Sequence, residues 1–360
     1  MAAGARGGRG FNKTGHVKLY ERSGTSWNEF QQINGNVSDD QFGTSLDLSD
    51  DGSILVVVGG RTVLIFELSN STSLYEPLNA IDSNETYYDE VAVSPDGSAI
   101  GVTSYQISGV RVFERVGSGF QQRGVDITSY ARHDGGIAMN YDGTIVIVGR
   151  RSWSSFRGLT GVYQWKFNNG NGSMQWMQMG NDIIGDADDD RENELKSVSI
   201  THDGLTVAVG ADGYDGGGNN MGRVSVFHYN ASEDSWGKSY DFVGDNDDDH
   251  FSTPALSSDG TYLAVGAWGM NYVKIFEKNE SEYYSLGDKM IGEGLRFGYS
   301  VDISADGAAV AVGSWMHDND KGKVYLYDTF LSASPSSASS FIASIVVASL
   351  IFTVVTLDLL

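Results

Sequence analysis

Two acidic loops hold the residues of this 360-residue chain whose types and spacing best suit metal chemistry. Asp186, Asp188, Asp190 and Glu194 occupy positions 1, 3, 5 and 9 of one run. The second run is Asp245-Asn246-Asp247-Asp248-Asp249, followed by His250. Ca2+ takes about six to eight oxygen ligands in a flexible geometry, so the first loop is a candidate calcium site. Two features count against it: Arg191 stands where a glycine usually makes the sharp turn, and the second loop offers Thr253 instead of a final carboxylate. The plain alternative is a pair of solvated acidic turns.

A second set is aromatic. Tyr105, Trp153, Tyr214, Trp268 and Trp315 lie in loops, several directly after a strand that ends in glycine. Tyr and Trp are favoured anchors at binding surfaces, and interspersed with carboxylates they suit a carbohydrate or a partner protein. The competing expectation is that they fold over the loops and shield the protein beneath. Nucleophile elbows, His-Glu-x-x-His and phosphate-cradling loops do not occur, and the six histidines are scattered. No carboxylate pair is singled out for glycoside chemistry. The expected class is therefore a non-enzymatic recognition or adhesion module, with a propeller-scaffold glycoside hydrolase or lyase as the alternative. Asn-x-Ser/Thr acceptors for glycans occur at Asn12, Asn36, Asn70, Asn84, Asn171, Asn230 and Asn279.

These residues hang on a repeat. Asp-Gly pairs begin at Asp51, Asp96, Asp142, Asp203, Asp259 and Asp306, spaced by 45, 46, 61, 56 and 47 residues. Asp-Gly between two β-rich runs signals a tight hairpin, because glycine supplies the positive φ such turns need. A period of about 40 to 50 residues containing several short strands is the signature of four-stranded propeller blades. In each repeat the strands are lettered A to D from the innermost outwards, with the Asp-Gly turn joining A to B. Strand C recurs seven times, ending at Tyr20, Phe66, Phe113, Trp165, Phe227, Phe276 and Tyr327. Its alternation predicts one face packed on the neighbouring blade. Strand D recurs six times, with Trp27, Tyr75, Phe120, Trp176, Trp236 and Tyr283 as expected packing residues. With A innermost, D–A and B–C loops share one rim and A–B and C–D turns share the other. The pattern predicts an all-β, seven-bladed propeller with an incomplete terminal blade, six blades being the alternative. Gly15 to Ile33 reads as a half-blade lacking strands A and B, as in a chain whose true beginning lies further upstream.

At Gln41-Phe42-Gly43-Thr44-Ser45 and Arg296-Phe297-Gly298-Tyr299-Ser300 the chain resembles FG-GAP repeats, the blades of the integrin α-chain propeller. The Gly-Ala-Pro half of that motif is degraded to Gly210-Ala211-Asp212, Gly266-Ala267-Trp268 and Gly313-Ser314-Trp315. The resemblance implies a propeller over most of residues 10–328. It does not bring calcium with it, because the family's calcium loop lies in the A–B hairpin, which here is a short turn.

Composition sets outer bounds. The net charge of −23 argues against nucleic acid or anionic lipid as partners, which demand clustered Lys and Arg. The absence of cysteine excludes disulfides and thiolate metal sites. Residues 1–10, rich in glycine and arginine, are expected to be disordered, 11–328 to form the propeller, and 329–340 a Ser/Ala-rich linker. Residues 341–360 carry one charge, Asp358, and are long enough for a membrane-spanning helix. Small residues, a polar spacer and a terminal apolar run also fit a GPI-attachment signal. The expected location is membrane-attached on the extracellular side, with a tail-anchored cytosolic propeller as the alternative.

Overall fold

The computed structural model describes residues 1–7, 14–23, 26–37, 41–82, 87–104, 109–128, 135–150, 158–185, 198–293, 295–317, 322–328 and 353–359. Their strands form seven separate sheets, one per blade of a β-propeller. Blade 5 shows the plan: Val198–Ile200, Thr206–Ala211, Arg223–Asn230 and Ser235–Val243 pair as antiparallel neighbours in chain order. Blade 7 has three strands among the described residues, Phe297–Ile303, Ala309–Ser314 and Lys323–Asp328, as the sequence led us to expect.

One hydrogen-bond circuit builds all six A–B turns, and blade 6 shows it. Gly260 N–H closes the turn on Ser257 O, and Gly260 has a φ of 71°. Ser257 Oγ donates to Asp259 Oδ1 at 3.0 Å and accepts Tyr262 N–H at 2.9 Å. Asp259 Oδ1 also accepts Thr261 N–H at 2.8 Å. The position two before each Asp is therefore Ser, Thr or Asn (Ser49, Ser94, Asn140, Thr201, Ser257, Ser304) because it must bond both the Asp and the first N–H of strand B.

Adjacent turns are tied to one another. Main-chain N–H groups of Asp50, Asp96, Tyr141, His202 and Ser258 donate to Pro95, Tyr141, His202, Ser258 and Ala305 carbonyls of the next blade, at 2.8–3.1 Å. Pro95 has no N–H, and its neighbour Asp96 donates instead.

Seven apolar clusters seal seven blade–blade interfaces. Ile54, Val56 and Val58 of strand B in blade 2 face Val91, Val93, Ile100 and Val102 of blade 3. The alternate residues Leu55 and Val57 face Val17 and Leu19 of blade 1. Both faces of these inner strands are thus buried. The same holds for strand C of blade 2, where Val63 and Ile65 point one way and Leu64 and Phe66 the other. This corrects the one-faced burial expected from alternation. The ring closes where Met1, Tyr20 and Trp27 of blade 1 meet Ala309, Ala311, Val324 and Leu326 of blade 7. Seven blades, not six, complete the circle.

Two terminal expectations change. Ala2–Gly7 is not irregular chain: it is strand B of blade 1, antiparallel to His16–Ser23. Small residues suit it, since a Cβ at Gly4 would overlap Gly43 O and Leu46 of blade 2. Within the apolar tail, Thr353–Leu359 is a strand rather than a helix, paired in parallel with Ala2–Gly7 at the innermost position of blade 1. Its β-branched Thr353, Val354, Val355 and Thr356 favour extended backbone. No described helix is long and apolar enough to cross a membrane. The linker 329–340 and residues 341–352 lie outside the described residues.

Candidate functional site

The D–A and B–C loops meet on one rim. Around blades 5 and 6 they are stitched by main-chain bonds: Asp248, His250 and Phe251 N–H groups donate to Asn219, Asn220 and Met221 carbonyls. His250 is half-buried, and its φ of 49° precedes the fully buried Phe251. The same arrangement occurs at Gln41-Phe42 and Arg296-Phe297, with φ of 51° and 67° before phenylalanines that are equally buried. Phe251 is therefore a third copy of the aromatic plug, hidden from sequence reading because Ser252 replaces the glycine. In the Phe-Gly copy of blade 7 that glycine has a φ of 85°, and a Cβ on it would come within 2.8 Å of Tyr272 O of blade 6; across the same contact, a Cβ on Gly266 of blade 6 would overlap Gly298 O.

From this frame an aromatic row runs across blades 6 and 7. Trp268 stacks on His250 with ring centroids 4.0 Å apart and planes within 10°. The Arg296 guanidinium lies 4.2 Å from the Trp268 ring. Tyr299 meets Trp268 edge-on at 6.0 Å and Trp315 edge-on at 6.1 Å. Two of the three rim tryptophans picked out by sequence, Trp268 and Trp315, thus belong to one cluster. Trp268 thus contacts both an imidazole and a guanidinium, and all three side chains are half-buried. Trp315 is more deeply engaged: it packs on the cluster that closes the ring, and its Nε1 is buried. Tyr214 stands apart, half-buried with the Arg223 guanidinium 4.2 Å above its ring. Tyr105 and Trp153 lie outside the described residues.

The acidic loop before blade 6 is spent on structure. Asp245 pairs with Lys274 at 2.7 Å and Lys289 at 2.5 Å. Burial alone would raise its pKa, but the two lysines hold it below the ordinary value. Asp247 accepts Asn219 N–H, and Asp248 accepts the Asn220 amide. Asp249, fully buried, accepts Asp245 N–H, Asn246 N–H and the Tyr272 hydroxyl through Oδ2. Burial and Asp249 together push the Tyr272 phenol far above its usual range. These carboxylates point at separate partners, and no group of three metal-ligating side chains converges among the described residues. Asp186, Asp188, Asp190 and Glu194 lie outside the described residues.

The inner strands line a central channel of about 380 Å³. Two residues before each turn motif, one layer of its wall is Asp47, Ala92, Ala138, Ser199, Ala255 and Asp302. Nearer the aromatic rim, Glu90 and Ser300 also line it. Asp47 Oδ2 accepts Val93 N–H of the next blade at 2.7 Å, and Glu90 Oε2 accepts the Ser45 hydroxyl at 2.9 Å. Ser300 is 7% exposed, and its hydroxyl has no hydrogen-bond partner among the described residues. Of the described lining residues only His202 can carry positive charge, and it sits by the A–B turns, 3.3 Å from Asp50. Sequence reading missed this channel because its carboxylates are far apart in the chain and follow no motif.

No known family profile and no curated protein sequence matches this chain. Solved structures do. Hydrazine synthase from Kuenenia stuttgartiensis superposes with a TM-score of 0.63 at 14% identity, covering 92% of this chain and 96% of that one. The Cps50 (Swd1) β-propeller domain from Myceliophteria thermophila gives 0.56 at 13% identity, covering 85% and 90%. A putative 6-phosphogluconolactonase from Bacteroides uniformis gives 0.56 at 12%, covering 78% and 79%. At these identities the likeness is one of fold. The set mixes proteins described as enzymes with others that are not, and the fold alone selects neither class.

Proposed function

We propose that this propeller is a non-enzymatic recognition module that binds a protein or carbohydrate ligand through its D–A/B–C rim. The observation that carries the reading is the row His250–Trp268–Tyr299–Trp315 with Arg296, half-buried on rim loops and, for Tyr299, the start of a blade 7 strand, with loop backbone fixed by interlocking hydrogen bonds. Rigid aromatics beside a planar cation bind with little ordering cost. The opposite rim supports the same division of labour. Asn70, Asn171, Asn230 and Asn279 are exposed at C–D turns, so glycans there would leave the aromatic row open. Display on the extracellular side of a membrane belongs to this reading. Attachment through residues 341–360 competes with the pairing of Thr353–Leu359 inside blade 1, and phospholipase release from cells separates a lipid anchor from a retained strand. Detection of N-glycans on Asn230 or Asn279 tests the side.

The binding test uses an oligosaccharide array and intact cell surfaces probed with labelled protein. Trp268→Ala should lower binding at least tenfold (about 1.4 kcal/mol or more) with a nearly unchanged melting midpoint. Trp315→Ala should instead lose roughly 2–3 kcal/mol of stability. Full binding by Trp268→Ala, or its unfolding, overturns the proposal. A second reading, a glycoside hydrolase or lyase, draws on the carboxylates of the channel, and release of reducing ends from a polysaccharide panel would favour it.

A further inference from the structure

Within the aromatic row one cation stands unpaired. Arg111, Arg115 and Arg123 each reach a carboxylate at 2.6–3.1 Å. Arg296 makes no hydrogen bond or ion pair among the described residues, although Glu293 lies three residues before it in the same loop. Instead its guanidinium lies over the Trp268 ring, 4.2 Å away. A guanidinium held over a ring still has its N–H donors to give, and their planar fork matches a carboxylate.

The surface beside it is aliphatic. Asn271, in the B–C loop of blade 6, accepts Gly292 N–H on its carbonyl at 3.1 Å and Phe297 N–H on its side chain at 3.3 Å. That loop and the D–A loop entering blade 7 therefore meet at one point. Within two residues along the chain from these bonded groups, Met270, Ile291 and Leu295 are 51%, 75% and 62% exposed. Such exposure is not a general property of these loops: before blade 6 the exposed residues are Asp245, Asn246, Asp247 and Asp248. Exposed aliphatic groups gathered beside an aromatic anchor suit a protein partner. A sugar is the poorer match. His250 already covers Trp268 with ring planes within 10°, taking a face on which a pyranose would stack. A saccharide also has no aliphatic side chains to set against Met270, Ile291 and Leu295.

We propose that the rim at blades 6 and 7 binds a peptide segment of a protein partner in which an Asp or Glu is flanked by aliphatic side chains. The carboxylate sits on Arg296 and the aliphatic groups on Met270, Ile291 and Leu295. This rests on the rim being the recognition surface, and names its partner. The test is selection of random displayed peptides on the immobilised full chain, then titration of the most enriched one as a labelled synthetic probe. Both steps use about 150 mM salt, which screens long-range repulsion from the net charge of −23. The enriched peptides should carry an acid next to Leu, Ile, Val or Met. Arg296→Gln should weaken the probe roughly tenfold. Changing the probe's acid to its amide should cost the same factor, with no further loss when the two changes are combined. Glutamine fits this backbone, since Gln41 holds the same left-handed conformation before Phe42. Met270→Ser with Leu295→Ser should weaken the probe by a smaller factor, and Lys166→Gln, on blade 4, should bind as wild type. No enriched peptide, enrichment without an acid, or equal binding by Arg296→Gln and wild type would each overturn the proposal. If Trp268→Ala nevertheless loses binding on the oligosaccharide array or on cells, rim recognition stands and only the partner named here falls.

Discussion

Asp259 accepts three bonds at once: Ser257 Oγ and Thr261 N–H at Oδ1, and Thr261 Oγ1 at Oδ2, the last at 2.7 Å. Burial by itself would raise its pKa, but the bonds outweigh burial and set the net shift below the ordinary Asp value. Asp51 and Asp142 show the same balance. A carboxyl whose pKa is lower folded than unfolded contributes stability above its unfolded pKa, and loses it as pH falls through the folded value. The melting midpoint should therefore hold steady from about pH 7 to 5 and fall steeply below about pH 4. Calorimetry across that range checks it, and the triple variant Asp51→Asn/Asp142→Asn/Asp259→Asn should show a shallower acid limb. The glycine of this turn was legible, because positive φ is a local demand. The hydroxyl or amide two residues earlier was not, because its partner N–H lies across the hairpin, five residues on.

At the scale of the element, the Phe-Gly plug shows what periodicity conveys and what it hides. Two copies were visible at Phe42-Gly43 and Phe297-Gly298. The third, Phe251, emerged only when His250 proved to share the left-handed backbone of Gln41 and Arg296. Backbone conformation, not the glycine, is what the three have in common. Where the glycine is kept, the neighbouring blade needs a glycine opposite it: a methyl at Gly266 would collide with Gly298 O, and main chain cannot swing aside as a side chain can. Gly266→Ala should cost roughly 3 kcal/mol in urea unfolding. Gly172→Ala, in an open C–D turn with nothing within 4 Å, should cost only its backbone strain at φ 71°, about 1 kcal/mol. Equal losses would mean that blades 6 and 7 do not approach as described. The acidic loops illustrate the converse limit. A sequence shows carboxylates at ligand spacing, but not that Asp245 faces two lysines while Asp249 faces backbone and Tyr272.

For the whole molecule, blade number and the recurring strands of blades 2 to 7 could be read from the chain because each strand's pattern is local. How the circle closes could not. Blade 1 draws strand B from Ala2–Gly7, whose alanines and glycines carry no β signal, and its inner strand from Thr353–Leu359. Their place is set by neighbours: Ala2 packs with Val17, Phe42 and Leu46, and Met1 with Ala309 and Ala311. The shared rims, and with them the aromatic row and the channel, exist only because successive blades stand side by side about one axis. That arrangement has a signature in the A–B turns, where the amides of Asp50, Asp96, Tyr141, His202 and Ser258 each donate to the next blade. In an isolated hairpin those five amides would face water. Hydrogen exchange on the intact chain, resolved to these residues, is the most direct test. The account predicts protection of roughly a thousandfold, about 4 kcal/mol of opening free energy, at all five. Exchange at the unprotected rate at these positions, with the strands of each hairpin still protected, would show that the blades do not join and would contradict the common rim.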